Sequence, residues 1–244
     1  MPKKNSIKII YEDKDIVVID KPTGISVHGD GRTEEYTVAD WVIENYPKLK
    51  NVGEPLIVSD EREVPRPGIV HRLDKGTSGI MIIAKRKEIY KYLKRQFSDR
   101  NIKKVYRALV HGDFKDDNGM IDKPIGKSGS DFRAKATGSS AKGEMREAMT
   151  YYKVLERFPG YSYLELRPKT GRTHQIRVHL KSIGKPIVCD EIYAKGKIRP
   201  KWMERLALHA FSLELPLPGG EMKKFEAPLP KDIMDGLNIL RKEQ

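Results

Sequence analysis

Gly68-Ile69-Val70-His71-Arg72-Leu73-Asp74-Lys75-Gly76-Thr77-Ser78-Gly79, followed by Ile80-Met81-Ile82-Ile83-Ala84, is the stretch on which the reading of this chain turns. Its second half is a continuous, β-branched apolar run, the pattern of a strand buried on both faces. Its first half is a glycine-bounded polar loop feeding directly into that strand. Polar groups packed this densely beside a core strand are costly unless they are satisfied or used. The loop offers one carboxylate, Asp74, next to an arginine, Arg72. A carboxylate paired with a guanidinium stays ionised and fixed in orientation. That suits a nucleophile or base better than a general acid. The plain alternative is a capping loop tied by salt bridges, and composition alone leaves it open.

A second polar island, Thr170-Gly171-Arg172-Thr173-His174-Gln175-Ile176-Arg177-Val178-His179, also follows a strand and opens a helix. Around the two islands the chain reads as mixed elements. Ile16–Ile19 is a buried strand ended by the turn Asp20-Lys21-Pro22-Thr23-Gly24. Thr37 caps a helix carrying Val38, Trp41, Val42 and Tyr46, which Pro47 closes. Residues 51–67 read as a loop, 86–98 as a helix and Val105–Val110 as a strand. Strands at about 148–157 and 161–168 meet at Pro159-Gly160 as a hairpin. Thr173 is the expected cap of a helix over about 174–183, stopped by Gly184. Residues 206–215 read as a strand, and Ile233, Met234, Leu237 and Leu240 mark a closing helix. Residues 113–147, rich in Gly, Lys, Asp and Ser, are expected to form a mobile, basic excursion. Strands and helices lack regular βαβ alternation, so the expected class is α+β with a mixed, mainly antiparallel sheet. No linker divides the chain, and residues 1–244 read as a single domain.

The 244 residues carry 47 Lys+Arg against 34 Asp+Glu, a net charge of +13. Hydrophobic residues make up 38%, enough for a core despite a mean hydropathy of −0.60. No apolar run approaches the roughly 20 residues of a membrane span, and the polar start Met1-Pro2-Lys3-Lys4-Asn5 lacks a signal peptide's apolar stretch. Cys189 is the only cysteine, which excludes intramolecular disulfides and Cys-based zinc clusters. The expectation is a cytoplasmic protein without membrane association. An excess of positive charge suits a polyanionic partner, most often nucleic acid. Between Lys85 and Arg107 ten basic residues face two acidic ones, Glu88 and Asp99, a balance of +8. Lys85, Arg86, Lys91, Lys94, Arg95, Lys103 and Lys104 are therefore candidate phosphate contacts, the alternative being a solvated helix face. A second basic knot is Lys195, Lys197, Arg199, Lys201 and Arg205.

Other chemistries lack their motifs. Gly126-Lys127-Ser128 resembles the end of a P-loop, but Ile121 stands where its first glycine belongs. His174 and His179 have the wrong spacing for a helical zinc pair, so no metal is expected, and Ser78 lacks a nucleophile-elbow context.

The stretch 68–79 resembles the signature of the RluA-type pseudouridine synthases. Further segments agree in chain order: Asp20–His28 resembles the family's first motif, Lys104–Gly112 its tyrosine-bearing motif, and Thr170–Leu180 continuing through Gly184–Asp190 to Tyr193 the third. Arg205–Ala210 and Ala227–Pro230 resemble the closing segments, so the likeness covers roughly residues 8–240. The resemblance implies a central mixed, mainly antiparallel sheet flanked by helices, with the active cleft across its middle. It implies isomerisation of uridine to pseudouridine in RNA without metal or cofactor. Asp74 would be the essential carboxylate, adding to C1′ or taking the C2′ proton. Tyr106 would stack against the uracil, Arg177 would pair with Asp74, and Arg72 would help extrude the base. Ile176 and Leu208 would wall the uracil pocket. His71 is expected to be structural or to touch phosphate, His174 and His179 to be hydrogen-bonded structural residues, and Lys21-Pro22 to support the active loop. Only about seven residues precede the region of resemblance, too few for the S4-type RNA-binding domain of larger members. Target selection is then expected to rest on the 85–107 segment and on the excursion, with Arg133, Lys135, Lys142 and Arg146 against RNA. Large-subunit ribosomal RNA is preferred over transfer RNA because Val64–Gly68 resembles members acting on it. A monomer is the default. The rival readings are a non-catalytic RNA-binding domain and an RNA hydrolase using Asp74.

Overall fold

The computed structural model describes residues 7–29, 34–57 and 63–243. The N-terminal stretch Met1–Asn5 and residues 58–62 of the expected loop lie outside them. β1 (Lys8–Glu12) and β2 (Ile16–Lys21) form a hairpin, α1 (Val38–Asn45) follows, and β3 (Leu56–Ile57) pairs with β4 (Glu63–Val64) as a short ribbon. β5 (Ser78–Ala84) leads into α2 (Lys87–Ser98). The chain continues through β6 (Lys103–His111), β7 (Asn118–Asp122), β8 (Ile125–Ser128), β9 (Lys135–Thr137) and β10 (Ala141–Arg146). β11 (Met149–Phe158), β12 (Tyr161–Pro168), α3 (Gln175–Ser182), β13 (Leu208–Pro216), β14 (Met222–Glu226) and α4 (Lys231–Lys242) complete it. The class is α+β.

Two compact units result, Met1–Lys103 with Ser212–Ala227, and Lys104–Phe211 with Pro228–Gln244. Two of their three boundaries fall inside β6 and β13, and the third lies in the connection between β14 and α4. A strand carries no Gly, Pro or Ser enrichment to mark a boundary, so composition is blind to the first two.

In the first unit β5 is buried at every position, as its continuous apolar run requires. It pairs antiparallel with β2, from Ile16 opposite Ala84 to Lys21 opposite Gly79. α1 opens with a reciprocal cap: the Thr37 side chain accepts from the Asp40 amide, and Asp40 accepts from the Thr37 amide at 2.9 Å. α2 buries Ile89, Tyr90 and Leu93 and leaves its basic face outward.

In the second unit β6, β12, β11 and β7 form an antiparallel series in that order. The β11–β12 hairpin turns at Pro159-Gly160, where Gly160 has φ +74°. α4 buries Ile233, Leu237 and Leu240 in a cluster with Leu109, Leu164, Leu166 and Leu180. Two expectations change here. Residues 113–147, expected as a mobile excursion, contain paired strands: β7 joins β11, and β8, β9 and β10 make their own three-stranded sheet in the order β10-β8-β9. Their glycines supply turns and close approaches; at Gly126 an added Cβ would sit 2.7 Å from Met145 Sδ. Thr173 is not the cap of α3. His174 takes that position in the left-handed conformation, φ +59°, with no side-chain cap, because its ring is used elsewhere.

Candidate functional site

The signature loop in the first unit is held from below by the preceding turn. Lys21 is fully buried, and its ammonium donates to the carbonyls of Pro22 and Ile25 at 2.9 Å and of Lys75 at 3.3 Å. The Gly24 amide donates to the same Lys75 carbonyl at 2.8 Å, and the Thr23 hydroxyl to the Gly76 carbonyl at 2.9 Å. Within the loop the Thr77 amide donates to the Asp74 carbonyl at 3.0 Å. Asp74 is thus fixed through its own backbone and both following residues, and it is half-buried. Lys21 is part of the support and not a reactive amine: a buried ammonium is tolerable because several carbonyls solvate it.

His71 Nε2 accepts from the Ile82 amide at 3.0 Å, and its ring stacks on Phe97 with centroids 4.6 Å apart. That bond puts the proton on Nδ1 and ties the loop to β5 and α2. Arg72 is exposed. Near it Arg66 is held below its ordinary value by burial and then by the Arg72 charge. His28 is pushed down by burial, then by Arg66 and Arg72. Three like-charged or chargeable groups therefore share the field around the signature loop, a setting that attracts anions.

Most of the expected phosphate contacts in 85–107 are engaged by carboxylates from distant sequence. Lys85 pairs with Glu12 at 2.7 Å, Arg86 with Asp15, Lys94 with Glu54, and Lys103 with Glu214 at 2.7 Å. Arg95 pairs with Asp99 at 3.3 Å, and in the second unit the Lys104 ammonium donates to the Thr170 carbonyl at 3.2 Å. Lys91 is exposed on α2. Four distant carboxylates thus halve the local balance of +8, which local counting cannot see.

In the second unit Tyr106 lies on β6 opposite Leu166 and packs against the hydrophobic cluster that contains Ile176 and Leu208. These three expected pocket residues thus belong to or border one hydrophobic cluster. Arg177, at the start of α3, is held by Asp190: its Nε donates to Oδ2 at 2.7 Å and its Nη2 to Oδ1 at 2.9 Å. Asp190 Oδ1 also accepts from the amides of Ile192 and Tyr193, both at 3.0 Å. The guanidinium carbon sits 5.2 Å from the Tyr193 ring centroid. Asp190, a single carboxylate closing the apolar run Ile187-Val188-Cys189, is the positioning residue that sequence reasoning passed over.

The rest of the second island is structural. Gln175 accepts from the Thr170 hydroxyl at 2.6 Å and from the Arg172 amide at 3.0 Å, and donates to the Met149 carbonyl at 2.9 Å. His179 bonds the Thr150 hydroxyl and the Lys123 carbonyl, each at 2.9 Å, and burial pushes its pKa down. His174 bonds the Tyr193 hydroxyl at 3.0 Å. Cys189 is buried, and its thiol donates to the Met203 carbonyl at 3.1 Å. Among the described residues no cluster of His, Cys, Asp and Glu could hold a metal, and no helix is long and apolar enough to cross a membrane.

The family model for RNA pseudouridylate synthases matches residues 15–182. The chain belongs to that family. Ribosomal large subunit pseudouridine synthase D of Pseudomonas aeruginosa is 37% identical over 98% of this chain and 73% of its own length. The protein of the same name from Borreliella burgdorferi is 39% identical over 94% of this chain and 67% of its own. The structure of human RNA pseudouridylate synthase domain containing 1 superposes with a TM-score of 0.73 at 25% identity, covering 99% of this chain and 97% of that one. This pseudouridine synthase therefore shares its fold over nearly its whole length with another member.

Proposed function

We propose that this pseudouridine synthase isomerises specific uridines of large-subunit ribosomal RNA, acting in the cytoplasm as a monomer. The observation that carries the reading is the presentation of Asp74. Three residues of the first motif grip the backbone of the two residues after it, so the loop that carries the carboxylate is held in place before substrate arrives. In the proposed reaction Asp74 attacks C1′ or removes the C2′ proton, and either route breaks the N-glycosidic bond. The freed uracil turns and C5 bonds to C1′, which releases the Asp74 carboxylate from C1′ or, on the other route, is followed by return of the proton to C2′; the C5 proton leaves and N1 takes up a proton. The product has the composition and oxidation level of the uridine, so no redox partner is called for. Tyr106 stacks on the uracil, with Ile176 and Leu208 beside it. Arg177, held by Asp190, is the basic residue that the family resemblance assigns to Asp74. Arg72 occupies the space left by the extruded base, an extrusion that costs a few kcal/mol. Ribosomal RNA is favoured by the names of the relatives.

The test is a site-mapped pseudouridine assay. Total RNA from cells lacking the protein is incubated with wild type or with Asp74→Asn and read by carbodiimide-dependent reverse-transcription stops. New stops in 23S-type RNA with wild type alone are expected. Asp74→Asn should lose turnover while keeping RNA binding, because backbone contacts position the RNA independently of the carboxylate. Stops in transfer RNA alone would overturn the ribosomal target, and near-normal activity of Asp74→Asn would overturn the mechanism.

A further inference from the structure

The three-stranded sheet β10-β8-β9 carries an unusual row. Lys142 on β10 lies opposite Lys127 on β8, and Lys127 lies opposite Lys135 on β9. Directly opposed residues of antiparallel strands project from one face, with Cβ atoms about 5 Å apart, and like charges there are destabilising. Among the described residues the ion pairs of the segment join Asp131 to Arg133 and to Lys195, and Glu144 to Arg146; none takes in a lysine of the row. The row borders a cavity of about 490 Å³ lined by Lys127, Lys135, Arg146, Arg172, Glu144 and Thr173 among others. Four cations thus face one carboxylate that is already paired.

Directly beyond the row, the turn between β8 and β9 holds Phe132 in solvent at 96% exposure. The turn is built, not frayed. The Ser128 amide donates to the Ala134 carbonyl at 3.2 Å and the Ala134 amide to the Asp131 carbonyl at 2.9 Å. The Arg133 amide donates to Asp131 Oδ1 at 3.0 Å. An aromatic ring offered to water by an ordered turn, beside a cation row, has the composition of a single-strand nucleic-acid platform: charges track the backbone and a ring stacks on a base.

We propose that this sheet is a single-stranded RNA contact in which Lys142, Lys127 and Lys135 hold backbone phosphates, Arg146 and Arg172 close the cavity around them, and Phe132 stacks on an unpaired base. The contact rests on the RNA reading above and adds to it a binding surface carried by a segment separate in sequence from the catalytic loop.

The test uses the full chain in the Asp74→Asn background, so that turnover does not obscure binding. A short fluorescein-labelled single-stranded RNA is titrated at several salt concentrations. Phe132→Ala should weaken binding about tenfold, and Phe132→Trp should restore it, as expected for one stacked base. Lys127→Gln/Lys135→Gln/Lys142→Gln should lower the slope of log affinity against log salt by about 2, the loss of three single-strand phosphate contacts. Both variants change exposed or half-exposed side chains, and unchanged thermal midpoints establish that they fold. Affinity and salt slope equal to those of the parent in both variants would overturn the contact. Failure of the parent reading is distinguishable: if the wild-type chain makes no pseudouridine while these variants still lose RNA affinity, the contact stands and the enzymatic assignment falls.

Discussion

Asp190→Asn isolates the clamp on Arg177. The Asp190 carboxylate is wholly buried, and the Arg177 side chain is 9% exposed. The substitution keeps size and shape but removes the charge. It also turns one oxygen into an NH2 group, which must face the donors that the carboxylate accepts from: Arg177 Nε and Nη2 and the amides of Ile192 and Tyr193. Breaking a buried pair from one side costs about 3–5 kcal/mol, because the remaining charge stays buried and uncompensated. For a chain of this size that lowers the melting midpoint by roughly 6–20 °C. Urea unfolding followed by far-UV circular dichroism gives the free energy, and differential scanning calorimetry gives the midpoint. Arg177→Met/Asp190→Leu should recover a large part of the loss, since an apolar pair of similar volume removes both desolvation penalties. The double variant should still be inactive on RNA if Arg177 is needed for the chemistry. A loss below about 1 kcal/mol for Asp190→Asn would refute the reasoning, because it would mean that the pair is solvated despite its burial.

Lys21→Met should cost about 3 kcal/mol in urea unfolding by orphaning the Pro22 and Ile25 carbonyls, and should lower kcat by loosening the residues after Asp74; unchanged unfolding would show that the ammonium does not support the loop. Gly68→Ala should cost at least about 2 kcal/mol, since Gly68 has φ +64° and an added Cβ would lie 2.1 Å from the Ala84 carbonyl oxygen; a melting midpoint equal to wild type would refute the close approach. Burial holds His28, His111 and His179 below their ordinary pKa of 6.5. The unfolded chain then binds more protons than the folded one below that value, so stability present above about pH 6.5 falls as pH drops towards 5, by at most about 1.4 kcal/mol per pH unit per histidine. Calorimetric midpoints between pH 7 and 5 check this, and His179→Gln should flatten the slope; a midpoint constant or rising on acidification would contradict it.

Local pattern alone makes much of this protein legible. The apolar run Ile80–Ala84 becomes a strand buried at every position, Pro159-Gly160 becomes a hairpin turn, and Thr37 caps its helix, because each depends on residues adjacent in the chain. His174 and His179 are hydrogen-bonded as expected, although their partners Tyr193 and Thr150 are remote in the chain. The segment 113–147 is not legible as a sheet. Its short strands are rich in Lys and Gly, and what stabilises them is pairing with one another and packing of Ile125 against Val178 and Tyr193.

Residue order is enough to define most of the elements, the polar loop that carries Asp74, the chemistry that loop can support and the sign of the charge the protein offers to RNA. Which of those charges are spent is settled by folding. Glu12, Asp15, Glu54 and Glu214, each remote in sequence, reach cations of the 85–107 segment, while the lysines of the β10-β8-β9 row meet one another. Folding also brings Asp190 to Arg177 and sets the Lys21 ammonium beneath the signature loop. The reason is range: propensity, capping and turn chemistry act over a few residues, whereas electrostatic neutralisation depends on distances that exist only once the chain has folded.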